Sequence, residues 1–319
     1  MTHMTNPLAT ADQLYRRTSS FGALPSDLQD AIFFATQSLT QAAGLLLRLP
    51  QSVTAQANVV VARYFLEESL LANEFSDVSA ASLFLVAKLS AHPARPRDLL
   101  NVYQYLLSPA SALFRSPASA PDLTVYYLSD GDFDAFRRRV MRVEARVLYV
   151  LGFDTHVALP HALAVTYLQA LDFCGDASRA RIARRVVAYL NTALLSPQML
   201  YLTHQPNALA VAAIYSAARD PEIGAKMPEC PWWEVFDVDR EELGFLVVGM
   251  RSLEGLVRKL RDDFDGFAKG GMITRKDIEV EMARRGLKMK NGTSPGVDEM
   301  DEEEAMMRSL DDRAERMEV

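Results

Sequence analysis

From about Pro25 to Leu260, apolar residues recur at the three- and four-residue spacing of helices, in segments separated by Pro, Gly and Ser. A half-buried strand would need strict alternation of apolar and polar residues, and no convincing alternation is found. Ser26, Asp77 and Ser178 are residue types that favour helix N-caps. The predicted helices are approximately Ser26–Arg48, Ser52–Ala72, Asp77–Ala91, Pro96–Leu107, Asp132–Leu151, Pro160–Asp172, Ser178–Ser196, Pro206–Arg219 and Arg240–Arg261. We therefore expect an all-α fold.

Two of these helices are similar in sequence. "LFLVAKLSA" (83–91) and "LAVAAIYSA" (209–217) align without a gap at an offset of 126 residues. Both segments are largely apolar on every side and rich in small residues, which suits the central helix of a bundle that other helices surround. The repeat therefore predicts two similar helical bundles in tandem.

The predicted boundary between the bundles is the segment "GFDTHVALP" (152–160). Gly152 is suited to end one helix, and Pro160 is suited to open the next. The expected segments are an N-terminal extension (1–24), a first bundle (25–155), a second bundle (156–262) and a C-terminal tail (263–319).

The net charge of −7 is located in the tail. Residues 291–319 contain 10 acidic and 3 basic residues, so the rest of the chain carries 31 of each sign. Six of the seven residues 298–304 are acidic, and such a segment cannot bury enough apolar surface to offset the entropy of ordering, so we expect a disordered tail. A neutral body without a basic face offers little to a phosphate backbone, so direct nucleic-acid binding is not expected.

The sequence lacks the motifs of several enzyme and metal-site classes. It contains no GxxxxGKS/T, GxSxG, HExxH or GxGxxG motif. Cys174 and Cys230 have no second ligand at metal-site spacing, and His156 and His161 have no third. No apolar run reaches the roughly 18 residues of a membrane span, and the N-terminus does not resemble a signal peptide. We therefore predict an intracellular protein with no catalytic residue, cofactor, metal, small-molecule substrate or membrane contact.

Two charged residues interrupt apolar helix faces. Lys88 lies in the first of the repeated helices, where the second has Ile214. Because burying an unpaired ammonium is costly, a bundle that needed only a core would use the apolar residue. Glu144 interrupts the apolar stripe of another helix. The structural alternatives are that Lys88 extends to solvent, and that Glu144 lies at the edge of its helix face or pairs with Arg142 or Arg146. The functional interpretation is a polar spot on an apolar docking surface, where charges set register and partner choice.

Several segments between Pro25 and Leu260 resemble the cyclin family, and the L-type cyclins in particular. The similarity lies in "LTQAAGLLLRLPQSV" (39–53), "RPRDLLNVYQYL" (95–106), "RVEARVLYVLGFDTHVALPHALAVTYLQALD" (142–172), "QPNALAVAAIYSAAR" (205–219) and "PWWEVFDVDREEL" (231–243). Each segment is weak evidence by itself, and their order and spacing together are specific.

The resemblance implies two five-helix cyclin boxes, of which the first binds a cyclin-dependent protein kinase. Binding would turn the regulatory helix of the kinase so that its catalytic Lys–Glu pair can form. By motif match, Lys88 and Glu144 are the polar centre of this kinase interface. The neighbouring kinase-binding residues carried over in the same way are Leu85, Leu89, Phe153 and Thr155.

The implied function is that of an activating regulatory subunit of the kinase, acting in transcription or pre-mRNA processing. The implied location is the nucleus. "RRGLKMK" (284–290) is a candidate import signal, with an ordinary solvated helix end as its alternative.

The sequence departs from the family pattern in three places. Ser90 and Ala91 stand where most cyclins have two Glu, the tail is acidic rather than rich in Arg and Ser, and "DAIFFATQSL" (30–39) lacks the docking-peptide motif of cell-cycle cyclins. The missing Glu pair keeps a second function open, a cyclin-fold scaffold without kinase activation. A general-transcription-factor-like protein is a third alternative, but it would need a basic face and usually a zinc ribbon. The sequence names neither the kinase nor its substrates.

Overall fold

The computed structural model describes residues 5–20, 24–108, 111, 127–171, 176–223, 227–264 and 273–287. Regular structure in these ranges is helical, which confirms the all-α prediction. The described ranges contain a short 3-10 helix, Trp232–Phe236, and twelve α-helices. In chain order these are α1 Ala11–Ser20, α2 Ser26–Leu46, α3 Gln51–Glu67, α4 Phe75–Leu89, α5 Pro96–Leu107, α6 Asp130–Val150, α7 Pro160–Leu171, α8 Asp176–Leu194, α9 Leu200–Thr203, α10 Pro206–Ala218, α11 Arg240–Asp263 and α12 Arg275–Arg284.

Helix α4 is the central helix of the first bundle. It contacts α2, α3, α5 and α6. Every residue from Phe75 to Ala87 is buried, and the run of small residues Ser79–Ser82 lets neighbouring helices approach closely. The sequence prediction of a surrounded, low-bulk helix is confirmed here.

Helix α10 has the same role in the second bundle. It contacts α7, α8, α9 and α11, and every residue from Ala208 to Ile214 is buried. Thus the two repeated segments are the two central helices. The fold consists of two tandem bundles, formed by the five α-helices α2–α6 and the five α-helices α7–α11.

The N-cap expected at Asp77 is not formed. Helix α4 begins two residues earlier, at Phe75, and Asp77 lies buried in its first turn. The Asp77 Oδ2 accepts a hydrogen bond from Arg139 Nε of α6 at 3.0 Å. Asp77 therefore links α4 to α6 and does not cap α4. The helix dipole also favours a carboxylate at this place in the first turn. Ser26 and Ser178 also lie inside their helices, at the first residue of α2 and the third of α8.

The last helix of the first bundle ends just before the segment 152–160. Helix α6 ends at Val150, and Gly152 adopts the left-handed φ of +56° that favours glycine after a helix. Helix α7 then begins at Pro160, as predicted. Residues 154–159 between the bundles have no regular structure.

The chain divides into two units after Ile278. The first unit therefore continues past the predicted end of the second bundle at residue 262, and Phe264, Ile273 and Ile278 are buried. The boundaries proposed from the sequence stay a prediction. The acidic segment 298–304 lies outside the described residues. Within the described ranges, no helix has both the length and the apolar character needed to cross a membrane.

Candidate functional site

Lys88 and Glu144 form an ion pair between α4 and α6. The Lys88 Nζ donates a hydrogen bond to Glu144 Oε1, and the Lys88 side chain is 51% exposed whereas that of Glu144 is 7% exposed. Lys88 lies in the last turn of α4, where the helix dipole favours a cation. Its ammonium also lies 5.0 Å from the centroid of the Phe84 ring. The two residues that the sequence identified separately are therefore partners.

The structure shows which cation pairs with Glu144. Arg146 forms an ion pair with Glu68 of the α3 C-cap, and not with Glu144. Lys88 does reach solvent from the end of its helix, but it also neutralises a buried carboxylate. The pair is therefore anchored in the protein on one side and open to a partner on the other.

Exposed apolar side chains lie at the C-terminal ends of α4 and α6. Leu89, which follows Lys88, is 59% exposed, and Phe153, which follows the end of α6, is 71% exposed. Tyr149, in the last turn of α6, is 70% exposed and was missed by the sequence analysis. An aromatic residue near a helix end gives little signal in a sequence, because its exposure cannot be read from the residue type. We take these exposed apolar residues at the ends of α4 and α6 as candidates for an interaction surface.

Leu85 does not belong to this surface. Its side chain is 2% exposed, so it is part of the first-bundle core. The physical reason is that α4 is surrounded along its length up to Ala87, and only its last residues reach solvent. The kinase-binding role that the family resemblance implies for Leu85 stays a prediction, and in the free chain the residue belongs to the core.

Phe153 is held in an unusual backbone conformation. Its φ is +63°, directly after Gly152 at +56°. A residue with a Cβ in the left-handed region costs roughly 1–2 kcal/mol. The Phe153 amide donates to the carbonyl of Leu148 at 2.9 Å, which completes the end of α6. A strained, exposed aromatic residue is a feature that packing alone does not require.

Thr155 is half-buried, and its contact runs through its backbone. The Thr155 carbonyl accepts a hydrogen bond from Gln56 Nε2 of α3 at 3.0 Å. Arg63, also on α3, donates through Nη1 to the carbonyls of Asp154 and His156 at 3.4 and 2.8 Å. Burial lowers the pKa of the Arg63 guanidinium, against an opposing effect of Asp154. Sequence reasoning missed Arg63, although a cation within "VVVARYFLE" (59–67) gives the same signal that identified Lys88.

Ser90, which stands in place of a family Glu, closes helix α4. Its hydroxyl donates to the Ala87 carbonyl at 2.8 Å and accepts from the His92 amide at 3.0 Å. Ser90 therefore satisfies backbone groups that the helix end leaves open. It supplies no negative charge to a partner.

The described residues contain no group of three or more His, Cys, Asp and Glu side chains placed to hold a metal ion. His161 instead forms a hydrogen bond between its Nε2 and Asn191 Oδ1 at 3.0 Å, and burial lowers its pKa. Cys230 is an exposed free thiol, and Cys174 lies outside the described residues.

Two tandem five-helix bundles, each built around a small-residue central helix, form the cyclin fold. A chain in the crystal structure of the yeast RNA Pol II CTD kinase CTDK-1 complex matches with a TM-score of 0.58 and 14% identity, covering 93% of this chain and 88% of that chain. A chain in the structure of the CAK complex from Chaetomium thermophilum bound to ATP-gamma-S matches with a TM-score of 0.51 and 14% identity, covering 90% and 88%. At this identity the likeness concerns the fold alone.

Similarity in sequence identifies the family more narrowly. Cyclin-L2 of Homo sapiens is 32% identical over 295 residues, which are 92% of this chain and 51% of that protein. Cyclin-L2 of Mus musculus is 29% identical over 304 residues, covering 92% and 53%. Cyclin-L1 of Homo sapiens is 33% identical over 206 residues, covering 64% and 36%. The chain belongs to the cyclin family, and its sequence is of the L type.

The chain spans about half the length of the two cyclin-L2 proteins, at 51% and 53%. No family model matches the sequence.

Proposed function

We propose that this chain is a regulatory subunit that binds and activates a cyclin-dependent protein kinase, without catalytic residues of its own. Its field of action is transcription or pre-mRNA processing. Relatives named cyclin-L1 and cyclin-L2, and a fold shared with a chain of an RNA Pol II CTD kinase complex, support this assignment.

One observation carries the proposal. Lys88 is a half-exposed cation at the end of α4, and its carboxylate partner Glu144 on α6 is buried. Exposed apolar side chains lie at the ends of the same two helices: Leu89 on α4, and Tyr149 and Phe153 at the end of α6. We name Lys88 and these three residues, together with Thr155, the first-bundle surface. Aromatic side chains dominate the energetics of many interfaces, while a charge at the rim or centre fixes orientation. Such a surface suits a protein partner better than a small molecule.

The proposed kinase contact differs from the one expected from the sequence. Glu144 is already satisfied by Lys88 within the free chain. Its role at the interface would then be to orient the Lys88 ammonium, whose remaining donors are free to bind partner oxygen atoms. Leu89 and Phe153 would supply the apolar part of the contact.

We also propose a nuclear location, in agreement with the proposed function. The candidate import signal at 284–290 begins at the end of α12, and residues 288–290 of it lie outside the described residues. Replacing its four basic residues and imaging the full chain tests this assignment. Unchanged nuclear location would leave entry together with the kinase as the explanation.

The central experiment is purification of the tagged full chain from cells, with identification of the proteins that it retains. We expect a cyclin-dependent kinase, and phosphorylation of a peptide from the RNA polymerase II C-terminal domain that depends on the chain. Recovery of other proteins without a kinase would favour the scaffold alternative, for which the absence of an acid at Ser90 is the supporting observation.

Two matched variants connect the kinase to the proposed surface. Phe153→Ala should lower kinase affinity by roughly tenfold or more, because it removes an exposed aromatic group of hot-spot size. Val248→Ala, at an exposed position on α11 of the second bundle, should leave affinity unchanged. Equal affinity of both variants and the wild-type chain would contradict the assignment of this surface.

A further inference from the structure

The segment between the two bundles is fixed by side chains, although it has no regular structure. Three successive carbonyls are bound by α3: Arg63 Nη1 donates to Asp154 at 3.4 Å and to His156 at 2.8 Å, and Gln56 Nε2 donates to Thr155 at 3.0 Å. Gln56 and Arg63 are seven residues apart on α3, which is two helical turns, so they share one face. This face of α3 therefore holds residues 154–156.

The N-terminal segment holds the same connection from another direction. Asn6 Nδ2 donates to the Ala158 carbonyl at 2.8 Å, and the Ala158 amide donates to Asn6 Oδ1 at 2.7 Å. The backbone of Asn6 is fixed in turn by Gln205 of the second bundle, through two hydrogen bonds of 3.0 Å. Gln13, near the start of α1, donates to Glu67 of α3 at 2.7 Å. Residues of the N-terminal segment thus bind the first bundle, the connection and the second bundle.

Holding the connection with a buried arginine costs free energy. Its side chain is buried, with the residue 9% exposed, and its Nη2 has no hydrogen-bond partner in the described part of the chain. Burying a cation costs free energy that neutral carbonyl acceptors recover only in part. An apolar residue would suit the interior of α3 better if packing were the only requirement. The position of the connection itself is therefore the reason for a cation at this site.

The connection carries two residues of the first-bundle surface. Thr155 lies within the held segment, and Phe153 directly precedes it with a left-handed backbone and a 71% exposed ring. A released connection would let the strained backbone of Phe153 relax to φ below zero, which would turn the ring to a different direction.

We propose that Asn6, Gln56 and Arg63 are positioning residues, which hold residues 154–158 so that Phe153 is presented to the kinase. We name these three residues the linker clamp. The inference rests on the proposed kinase-binding function for its consequence, and on the hydrogen bonds above for its mechanism.

The mechanism is tested first in the free full-length chain by hydrogen–deuterium exchange. Gln56→Leu removes a donor at similar side-chain volume, and Asn6→Ala removes the contact with Ala158. Each variant should raise exchange of the amides in 153–158 by about tenfold, which corresponds to one lost hydrogen bond of about 1.4 kcal/mol. Exchange in the central helix α10 should be unchanged.

Gln198→Leu is the matched control. Gln198 Nε2 also donates a side-chain hydrogen bond, to Ser252 Oγ at 3.3 Å, but outside the connection. It should leave exchange of 153–158 at the wild-type rate. Equal exchange in Gln56→Leu and Gln198→Leu would overturn the linker clamp whatever the kinase results are.

The consequence is tested by a double-mutant cycle, with the kinase that the wild-type chain retains as the probe. Gln56→Leu should weaken kinase binding about fivefold in the wild-type background, and should have no further effect when Phe153 is already Ala. Arg63→Met is a second variant for the same cycle. It is included if thermal unfolding shows that it folds. A merely structural defect would weaken binding equally in both backgrounds.

The outcomes separate this inference from the proposed function. Equal losses in both backgrounds would overturn the positioning role and leave kinase binding intact. Unchanged binding of Phe153→Ala alone would overturn the first-bundle surface, and the positioning role with it. A loss confined to the background that retains Phe153, together with faster exchange of 153–158, would support the proposal.

Discussion

The two central helices perform the same packing task with different residues at one position. Ile214 of α10 is 0% exposed, whereas Lys88 at the equivalent position of α4 is 51% exposed at the side chain and neutralises Glu144. The preceding residues of α10, from Leu209 to Ala213, are also buried and apolar. The first bundle presents its helix end to solvent, beside exposed Leu89.

This difference separates the needs of the fold from those of the surface. A bundle of this type is complete with an apolar residue at the position, as the second bundle demonstrates. The charge in the first bundle is therefore not required for packing. It belongs with the exposed residues that we propose as the kinase contact.

The largest effect is expected when a lysine is introduced at the equivalent position of the second bundle. Ile214→Lys places an ammonium at a fully buried position and should lower the free energy of unfolding by at least about 4 kcal/mol. Ile214→Val, which only removes a methylene group, should cost about 1 kcal/mol. Urea denaturation measures both. A loss below 2 kcal/mol for Ile214→Lys would show that the second bundle also opens to solvent here.

The converse change makes the first bundle resemble the second. Lys88→Ile alone leaves the Glu144 carboxylate buried without its partner, and should cost about 1–3 kcal/mol of folding free energy. The double variant Lys88→Ile/Glu144→Leu should recover stability to within about 1 kcal/mol of wild type, because well-packed apolar pairs often replace buried ion pairs without loss.

Kinase binding should not recover in that double variant. We expect a loss of about 30-fold or more in affinity, from a charge contact worth about 2 kcal/mol. Thermal unfolding and kinase retention are measured on the same preparations. A double variant that folds and binds normally would remove the charged pair from the kinase contact.

A second comparison concerns two glycines that lie close to side chains from other parts of the fold. A Cβ at Gly44 of α2 would meet Thr54 Cγ2 at 2.6 Å, and a Cβ at Gly249 of α11 would meet Gln198 Oε1 at 2.8 Å. Thr54 is buried and β-branched, so it cannot move aside, whereas the end of a Gln side chain can. Gly44→Ala should therefore cost about 1–3 kcal/mol and Gly249→Ala less than about 1 kcal/mol. Chemical denaturation measures both losses of stability. A larger loss for Gly249→Ala than for Gly44→Ala would contradict this interpretation of the two contacts.

The strained backbone at residue 153 predicts a smaller difference in stability, between two variants of Phe153. Glycine adopts the left-handed conformation without the Cβ penalty, so Phe153→Gly should be more stable than Phe153→Ala by about 1 kcal/mol. Both variants should weaken kinase binding by roughly tenfold or more, because neither has the ring. Equal stability of the two would mean that the backbone at residue 153 is not strained in solution.

The smallest expected effect is a pH dependence of the second bundle. Burial lowers the pKa of His161, so the unfolded chain takes up the proton at a higher pH than the folded chain. The stabilising effect of neutral His161 is present above the unfolded pKa of about 6.5 and is lost as the pH falls through the folded pKa. His161→Gln should show a smaller decrease in Tm from pH 7.5 to 5.5 than the wild-type chain. An identical decrease would assign the pH dependence to other groups.

Much of the architecture could be predicted from local patterns. The segments "LFLVAKLSA" and "LAVAAIYSA" are apolar on nearly every side, and such helices must be surrounded by others wherever they occur. Gly152 and Pro160 likewise have intrinsic backbone preferences that end and begin helices. The unusual chemistry of Lys88 and Glu144 was also visible, because a charge in an apolar helix stands out from its neighbours.

The sequence alone determined the helices, the two central segments and the residues whose charge needed an explanation. Only the tertiary structure decided that Lys88 pairs with Glu144 across 56 residues, that Asp77 binds Arg139, and that Leu85 is buried whereas Leu89 is exposed. Helix periodicity depends on residues three and four positions apart, so it can be read along the chain. The partner of a charge and the direction a side chain faces depend on how distant helices pack, and that information exists only once they meet.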